Sequence, residues 1–349
     1  MQIYNHFIGI DIGKFNFFVG RHNNNEVKEY ENNPDGIDSF IKDYRSVLSK
    51  GFTVLETTGG YEMRLLLTLC EKKFAVHRAN TRKVKNFIRS LGNGAKTDRL
   101  DSKALALYAY ERRERLECFK PQSKLFFELY ELVQRCSDLK SMMVAEKNRL
   151  KSPRANHVKE SCAHMIEVLA QQITTITERI NNLIDQDDVL KIKKTTLMTI
   201  SGIGGITANN LLVLIPELGS LNRKEIASLT GLAPIAKDSG SCRGYRATGH
   251  GRAGIKPVLF MAAMAARNSN SSLKSFYNHL IEAGKRKMVA LTALMRKIIV
   301  IANAKIRDLN LALAASANCA SVDGGKVAAK ADIAVAAGDD VFTGACAIA

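Results

Sequence analysis

Four carboxylates along the first hundred residues have the types and spacing to do chemistry. Asp11 lies in the apolar run Phe7-Ile8-Gly9-Ile10-Asp11-Ile12-Gly13, and Glu56 ends the run Phe52-Thr53-Val54-Leu55-Glu56. Asp98 and Asp101 fall in Ala95-Lys96-Thr97-Asp98-Arg99-Leu100-Asp101. An acid at the end of an apolar strand is costly beside a core unless a cation or a proton uses it. Four such acids could converge on hard divalent cations, since Mg²⁺ takes oxygen ligands and works with substrate phosphates. Two metals about 4 Å apart clamp the attacking and leaving oxygens of a phosphodiester. The first expectation is therefore phosphoryl transfer on a nucleic acid. Asp98 and Asp101 share a helix face, and the dipole of a helix start favours acids there without any metal.

The elements that must position these acids follow from the pattern. Residues 6–22 read as a strand, a glycine-bearing turn and a second strand. Ile37, Phe40, Ile41, Tyr44, Val47 and Leu48 have a helical period over 34–50. Residues 52–56 make a short strand, 61–72 a Leu-rich helix, 74–77 a strand and 99–111 a helix. Strands alternating with helices predict an α/β layer fold. In such sheets sites gather at strand ends, where Asp11 and Glu56 fall.

The middle differs in kind. Leu125, Leu129, Leu132, Cys136, Leu139 and Met143 step by alternating fours and threes, as do Ile166, Leu169, Ile173, Ile176, Ile180 and Leu183. These are heptad seams, and Pro153 lies between them. They predict an antiparallel coiled-coil hairpin, intramolecular or pairing subunits.

A mainly α region follows. Ile200-Ser201-Gly202-Ile203-Gly204-Gly205 resembles the turn of a helix-hairpin-helix, where Gly202 and Gly204 could free backbone N–H groups for a phosphate. A plain helix–helix turn uses the same letters. Residues 237–257 carry five glycines and five basic residues and cannot build a core, so they form a loop. Arg243, Arg246 and Arg252 could fork onto phosphates there, and a hydroxyl held among such donors could attack phosphorus. Lys285, Arg286 and Lys287 add a basic face before an Ala/Leu/Ile-rich helix through Ile306. Arg82, Lys83, Lys96 and Arg99 are the basic candidates for nucleic-acid contact near the acids. From about Leu311 the chain is mostly Ala, Gly, Val and Asp, and is expected to be disordered or weakly structured.

Composition narrows the partners. The formal charge is +17 over 349 residues, and the acidic tail concentrates that excess in the rest of the chain. Such a chain attracts polyanions, DNA or RNA by default. Seven cysteines without a CxxC pair argue against a disulfide framework or zinc ribbon, and fit a reducing cytoplasm. No N-terminal basic-then-apolar pattern indicates a signal peptide, and no 18-residue apolar run indicates a membrane span.

Gly9-Ile10-Asp11-Ile12-Gly13-Lys14, Glu56-Thr57-Thr58-Gly59-Gly60-Tyr61 and Lys96-Thr97-Asp98-Arg99-Leu100-Asp101-Ser102 resemble the N-terminal domain of the insertion sequence 110 transposases, a group that includes the Piv/MooV DNA invertases. Gly231-Leu232-Ala233-Pro234, Ser239-Gly240, Gly244 and Gly284-Lys285 resemble that family's C-terminal domain. The resemblance runs from about residue 6 to 308. It implies an RNase H-like (RuvC-like) α/β domain over 1–118 with a DEDD metal site of Asp11, Glu56, Asp98 and Asp101. A helical coiled-coil hairpin over 119–192 and a mainly α transposase domain over 193–310 would follow, then the tail over 311–349. It implies a serine nucleophile at Ser239, with Ser241 two residues on as the other loop hydroxyl. Mg²⁺ is the implied cofactor, two ions, with Mn²⁺ as substitute. The implied partners are double-stranded DNA at element ends and target, a non-coding guide RNA, and further copies of the chain as a dimer or tetramer, in which one subunit's metal site meets another's serine. A bacterial cytoplasmic, nucleoid-associated recombinase working through a phosphoserine link is the expected function. Three alternatives remain. A hydrolytic junction resolvase or nuclease would use the same acids. An actin-like ATPase or sugar kinase shares Ile10-Asp11-Ile12-Gly13-Lys14 but needs a second Asp-x-Gly-x-x-Thr segment. The last is a non-catalytic nucleic-acid-binding descendant.

Overall fold

The computed structural model describes residues 4–92, 97–152, 156–236, 238–242, 244 and 246–322. The chain divides into two compact units, Met1–Lys124 and Leu125–Ala349.

The first unit is a sheet with helices on both faces. Its elements are β1 (His6–Ile12), β2 (Asn16–Arg21), β3 (Val27–Glu31), α1 (Pro34–Leu48), β4 (Gly51–Glu56), α2 (Met63–Glu71), β5 (Ala75–Ala79), α3 (Thr81–Ser90) and α4 (Asp98–Arg112). The strand order is β3-β2-β1-β4-β5. β1, β2 and β3 form an antiparallel meander, while β4 and β5 run parallel to β1. Tight turns suffice for the meander, and the parallel strands need the crossover helices.

Side chains alternate across the sheet. Ile8, Ile10, Ile12 and Leu55 pack with Ile37, Phe40 and Leu48 of α1 and Leu65, Leu66 and Leu69 of α2. On the other face Phe7, Phe52 and Val54 pack with Val84 and Phe87 of α3 and Leu105, Tyr108 and Ala109 of α4. Helix α1 starts as its sequence dictates. Pro34 opens it, and the Asn33 carboxamide accepts from the Gly36 N–H at 2.8 Å.

Helix α4 lies closer to the sheet than a side chain would allow. Gly9 of β1 pairs with Gly20 of β2. A Cβ on Gly9 would fall 2.2 Å from the Ala106 nitrogen and the Ser102 carbonyl oxygen, and one on Gly20 2.9 Å from the Lys103 nitrogen. Two cross-strand glycines thus make the seat on which α4 rests.

The second unit opens with α5 (Lys124–Leu150) and α6 (Lys159–Gln186), close to the expected arm lengths. They run antiparallel. Arg179 donates to Glu128 at 2.5 Å near one end, and Thr177 meets Cys136 at 3.9 Å further along. Of the heptad positions, Leu129, Cys136, Leu139, Leu169 and Ile180 are buried, and Val133 and Ile184 join them. Pro153, expected at the turn, lies outside the described residues. α7 (Asp188–Met198), α8 (Gly205–Leu214), α9 (Arg223–Leu229), the short strands β6 (Pro234–Ile235) and β7 (Ala247–Thr248), α10 (Ile255–Ala266), α11 (Ser272–Glu282) and α12 (Lys287–Val322) follow.

One boundary differs from expectation. Leu129, Val133, Ile180 and Ile184 share a core with Leu211, Leu259, Leu294 and Ile298. The base of the hairpin therefore belongs to the C-terminal core and is not a separate domain. A second correction concerns the expected disorder from Leu311. Helix α12 continues to Val322, because Leu311-Ala312-Leu313-Ala314-Ala315 are strong helix formers and no Gly or Pro intervenes. The rest of the tail lies outside the described residues. Among the described residues no helix is long and apolar enough to cross a membrane.

Candidate functional site

Strand register brings the first two acids together. Ile10 of β1 stands opposite Leu55 of β4 in the parallel pair. The next step places Asp11 beside Glu56 at the carboxyl ends of the two strands, on the face that carries Phe7, Gly9, Phe52 and Val54. That is the face α4 covers. Thr97 caps α4 by accepting the Leu100 N–H at 3.3 Å, and Asp98 and Asp101 occupy the first turn. The glycine seat presses the following turns, Ser102 to Ala106, against β1 and β2.

Electrostatics records the convergence. Asp11 is raised to about 7 by burial first, then by the charges of Asp101, Asp98 and Glu56, against an opposing hydrogen bond from the Ile12 amide. Four carboxylates around one strand end repel one another, so the ionised set is uphill without a cation. Their all-oxygen chemistry fits Mg²⁺ or Mn²⁺. Among the described residues no three acid, His or Cys side chains are already drawn to ligand distance. The acids sense one another over the longer range at which charges act.

Sequence reasoning missed the residue that braces this site. Glu62, 0% exposed, lies in the loop that leaves Glu56. Its carboxylate accepts from the Thr58 N–H at 3.1 Å, the Thr58 hydroxyl at 3.2 Å and the Gly60 N–H at 2.9 Å. Arg78 of β5 forks onto its other oxygen at 2.6 and 3.1 Å. Burial pushes the Glu62 carboxyl up, but these donors outweigh it and hold it below its ordinary value. Helix α3 was also missed. Asn80 caps it by accepting from the Arg82 and Lys83 amides, and both side chains are exposed. Two cations in a first turn oppose the helix dipole, a cost of a few tenths of a kcal/mol that the fold itself does not require.

In the second unit Ser239 and Cys242 form a one-bridge ladder, N–H to carbonyl at 3.1 and 3.0 Å in the two directions. Gly240 turns the chain between them with φ +55°. Ser239 and Ser241 are exposed, so exposure alone does not separate the two hydroxyls. The Asp238 carboxylate spans the loop, accepting both guanidinium ends of Arg246 at 2.8 Å and the Gly244 N–H at 3.1 Å.

The remaining basic candidates divide by environment. Arg99, Lys285, Arg286 and Lys287 are exposed. Arg252 is committed to the fold, donating to Glu217 at 2.6 and 2.8 Å and to the Leu214 carbonyl. Gly202 is packed too, since a Cβ there would fall 2.3 Å from the Ala262 carbonyl oxygen of α10. Gly204 is the N-cap of α8, with open space around its Cβ position. Lys96 and Arg243 lie outside the described residues.

The comparisons agree in order with the two motif sets, although the second family model ends before Gly284-Lys285. A family model of DEDD transposases of the IS110 type matches residues 8–153, and one for the IS116/IS110/IS902 transposase family matches residues 194–278. The chain belongs to the IS110 family of transposases. It is thereby a DNA-recombining enzyme. Pilin gene-inverting proteins of Moraxella lacunata and Moraxella bovis are each 29% identical over 312 residues, covering 86% of this chain and 96% of theirs. An uncharacterised 43.6 kDa protein of insertion element IS110 from Streptomyces coelicolor is 29% identical over 150 residues, 42% of this chain and 36% of its own. The first family model spans all four acids, and the second spans the Ser239 loop.

Proposed function

We propose that this transposase cuts and rejoins double-stranded DNA by metal-assisted attack of Ser239, through a phosphoserine link. The observation that carries this reading is the gathering of Asp98, Asp101 and Glu56 around a half-buried Asp11 at the ends of two adjacent parallel strands. An antiparallel meander followed by two parallel strands, order β3-β2-β1-β4-β5, supports an RNase H-like, RuvC-like assignment.

Asp11, Glu56, Asp98 and Asp101 would hold Mg²⁺. When bound, the metal supplies Lewis-acid polarisation of a phosphodiester and stabilises its developing charge. Glu62 keeps the loop after Glu56 in place. Ser239 bonds through Oγ to phosphorus as the P–O3′ bond breaks, and the serine proton passes to the departing 3′ oxygen, which leaves as a 3′-hydroxyl. One ester replaces another, so the bond energy is kept for rejoining. Attack by the freed 3′-hydroxyl or its exchanged partner reverses the step. Arg82, Lys83, Arg99, Lys285, Arg286 and Lys287 suit phosphate contact by charge and exposure. A non-coding RNA as guide, and assembly into dimers or tetramers, extend this reading by family resemblance.

A denaturing gel tests it. The protein is mixed with labelled DNA bearing the element's ends, the adjoining transcript and Mg²⁺. A protein-linked DNA band is expected, lost in Ser239→Ala and Asp11→Ala and kept in Ser241→Ala. Cleaved DNA free of protein, unaffected by Ser239→Ala, overturns the serine mechanism in favour of hydrolysis.

A further inference from the structure

Two large aromatic side chains stand in water on the loops that follow the strands of Asp11 and Glu56. Phe15, in the β1–β2 turn, is 73% exposed, and Tyr61, in the β4–α2 loop, is 48% exposed. Their loops leave the strand ends that carry Asp11 and Glu56. One residue ties the loops together. The Asn32 amide N–H donates to the Phe15 carbonyl at 2.6 Å, and its side-chain NH₂ donates to the Gly13 carbonyl at 3.0 Å and the Tyr61 carbonyl at 3.1 Å. Glu62 braces the second loop from behind through Thr58 and Gly60. Lys14 sits with its ammonium 5.1 Å from the Phe15 ring centre.

An exposed ring on a loose turn has no consequence. Here both rings sit on backbone fixed by hydrogen bonds, on loops that leave the strand ends of Asp11 and Glu56, with the Lys14 ammonium near Phe15, in a chain of net charge +17. We propose that Phe15 and Tyr61 form a stacking subsite for unpaired bases of the DNA strand next to the phosphate being exchanged. The inference rests on the recombinase reading above. Its chemistry is that of single-strand binding: a ring offers its face to any base, and a nearby cation steers the backbone. Paired bases inside a duplex cannot reach a ring, so the occupant is unpaired. The subsite would hold a strand end open and in register while its phosphate is attacked.

The test uses the full-length protein with Ca²⁺ in place of Mg²⁺, to bind without cutting. Two DNAs of equal length are compared, one fully paired and one with a central unpaired bubble carrying 2-aminopurine. Wild type should prefer the bubble and quench its fluorescence. Phe15→Ala with Tyr61→Ala should weaken bubble binding about ten- to hundredfold, with duplex binding unchanged and the quenching lost. Tyr61→Phe should keep both, and so checks that the loop is intact. Equal loss on both DNAs, or no change on either, overturns the stacking subsite while leaving the recombinase reading standing. No change on DNA with altered self-association overturns it in favour of a protein contact. A wild type that binds neither DNA overturns the subsite, while the recombinase reading stands or falls by the denaturing gel above.

Discussion

The acid cluster and the serine loop hold their reactive groups by opposite means. Asp11 is fixed by strand register, a buried face and a helix seated on paired glycines, with backbone atoms doing most of the positioning. Ser239 is fixed by one bridge to Cys242 and one surface ion pair, Asp238 with Arg246, both partners well exposed. The contrast follows from charge. Like charges push apart, so four acids stay together only on a scaffold stiffer than their repulsion. A neutral hydroxyl has nothing to resist and needs access to phosphorus more than confinement.

Glycine substitutions should break the comparison most sharply. Gly9→Ala puts a methyl 2.2 Å from α4 backbone that has no room to yield. We expect a loss of about 3 kcal/mol or more in unfolding free energy, seen in denaturant titration, and strand transfer abolished. Gly240→Ala meets no atom within 4 Å and only the strain of its positive φ, so it should cost about 1 kcal/mol and leave metal binding unchanged. Equal effects at the two sites would refute the contrast.

A pH series gives the next largest effect. An unfolded aspartate releases its proton near pH 4, whereas folded Asp11 keeps one up to about 7. Between those values the folded chain binds more protons than the unfolded one. The contribution of Asp11 to the stability of the metal-free protein is therefore fullest below about pH 4 and is lost as pH rises through 7. Metal must displace that proton, so Mg²⁺ affinity should fall about tenfold per pH unit below 7, measured by calorimetry at pH 6 and pH 8. Ser239→Ala should leave this profile untouched, and Asp11→Asn should flatten it.

The smallest effect belongs to the surface pair. Asp238→Ala removes an exposed fork worth about 0.5–1 kcal/mol. We expect adduct formation slowed a fewfold on the denaturing gel, with the melting temperature nearly constant. A loss as large as that of Ser239→Ala would mean the Asp238 carboxylate does more than hold the loop.

Legibility differed in the same way across the two units. Strands β1, β4 and β5 could be read from apolar runs, and the acids announced themselves by interrupting them. The heptads pointed to two long helices of about the lengths of α5 and α6, because apolar spacing along a helix is a local pattern. Helix α3 was not legible, since its apolar face is short, Val84, Phe87 and Ile88 among cations. Arg252 looked like a phosphate fork, but its partner Glu217 lies thirty-five positions earlier, beyond any local pattern.

By itself the sequence determined which groups are available: four carboxylates at the ends or starts of regular elements, hydroxyls in a glycine-rich basic loop, and a surplus of positive charge. Residue type and short-range period carry that information. Only the tertiary structure decided that the acids lie within range of one another's charge, because that depends on the β1–β4 register and on Gly9 and Gly20 letting α4 settle onto the sheet. Likewise Glu62, an ordinary acid in the sequence, becomes the brace of the site only when Arg78 of β5 reaches it across the fold. Pairings between distant strands and helices are set by packing of the whole chain, which local spacing does not encode.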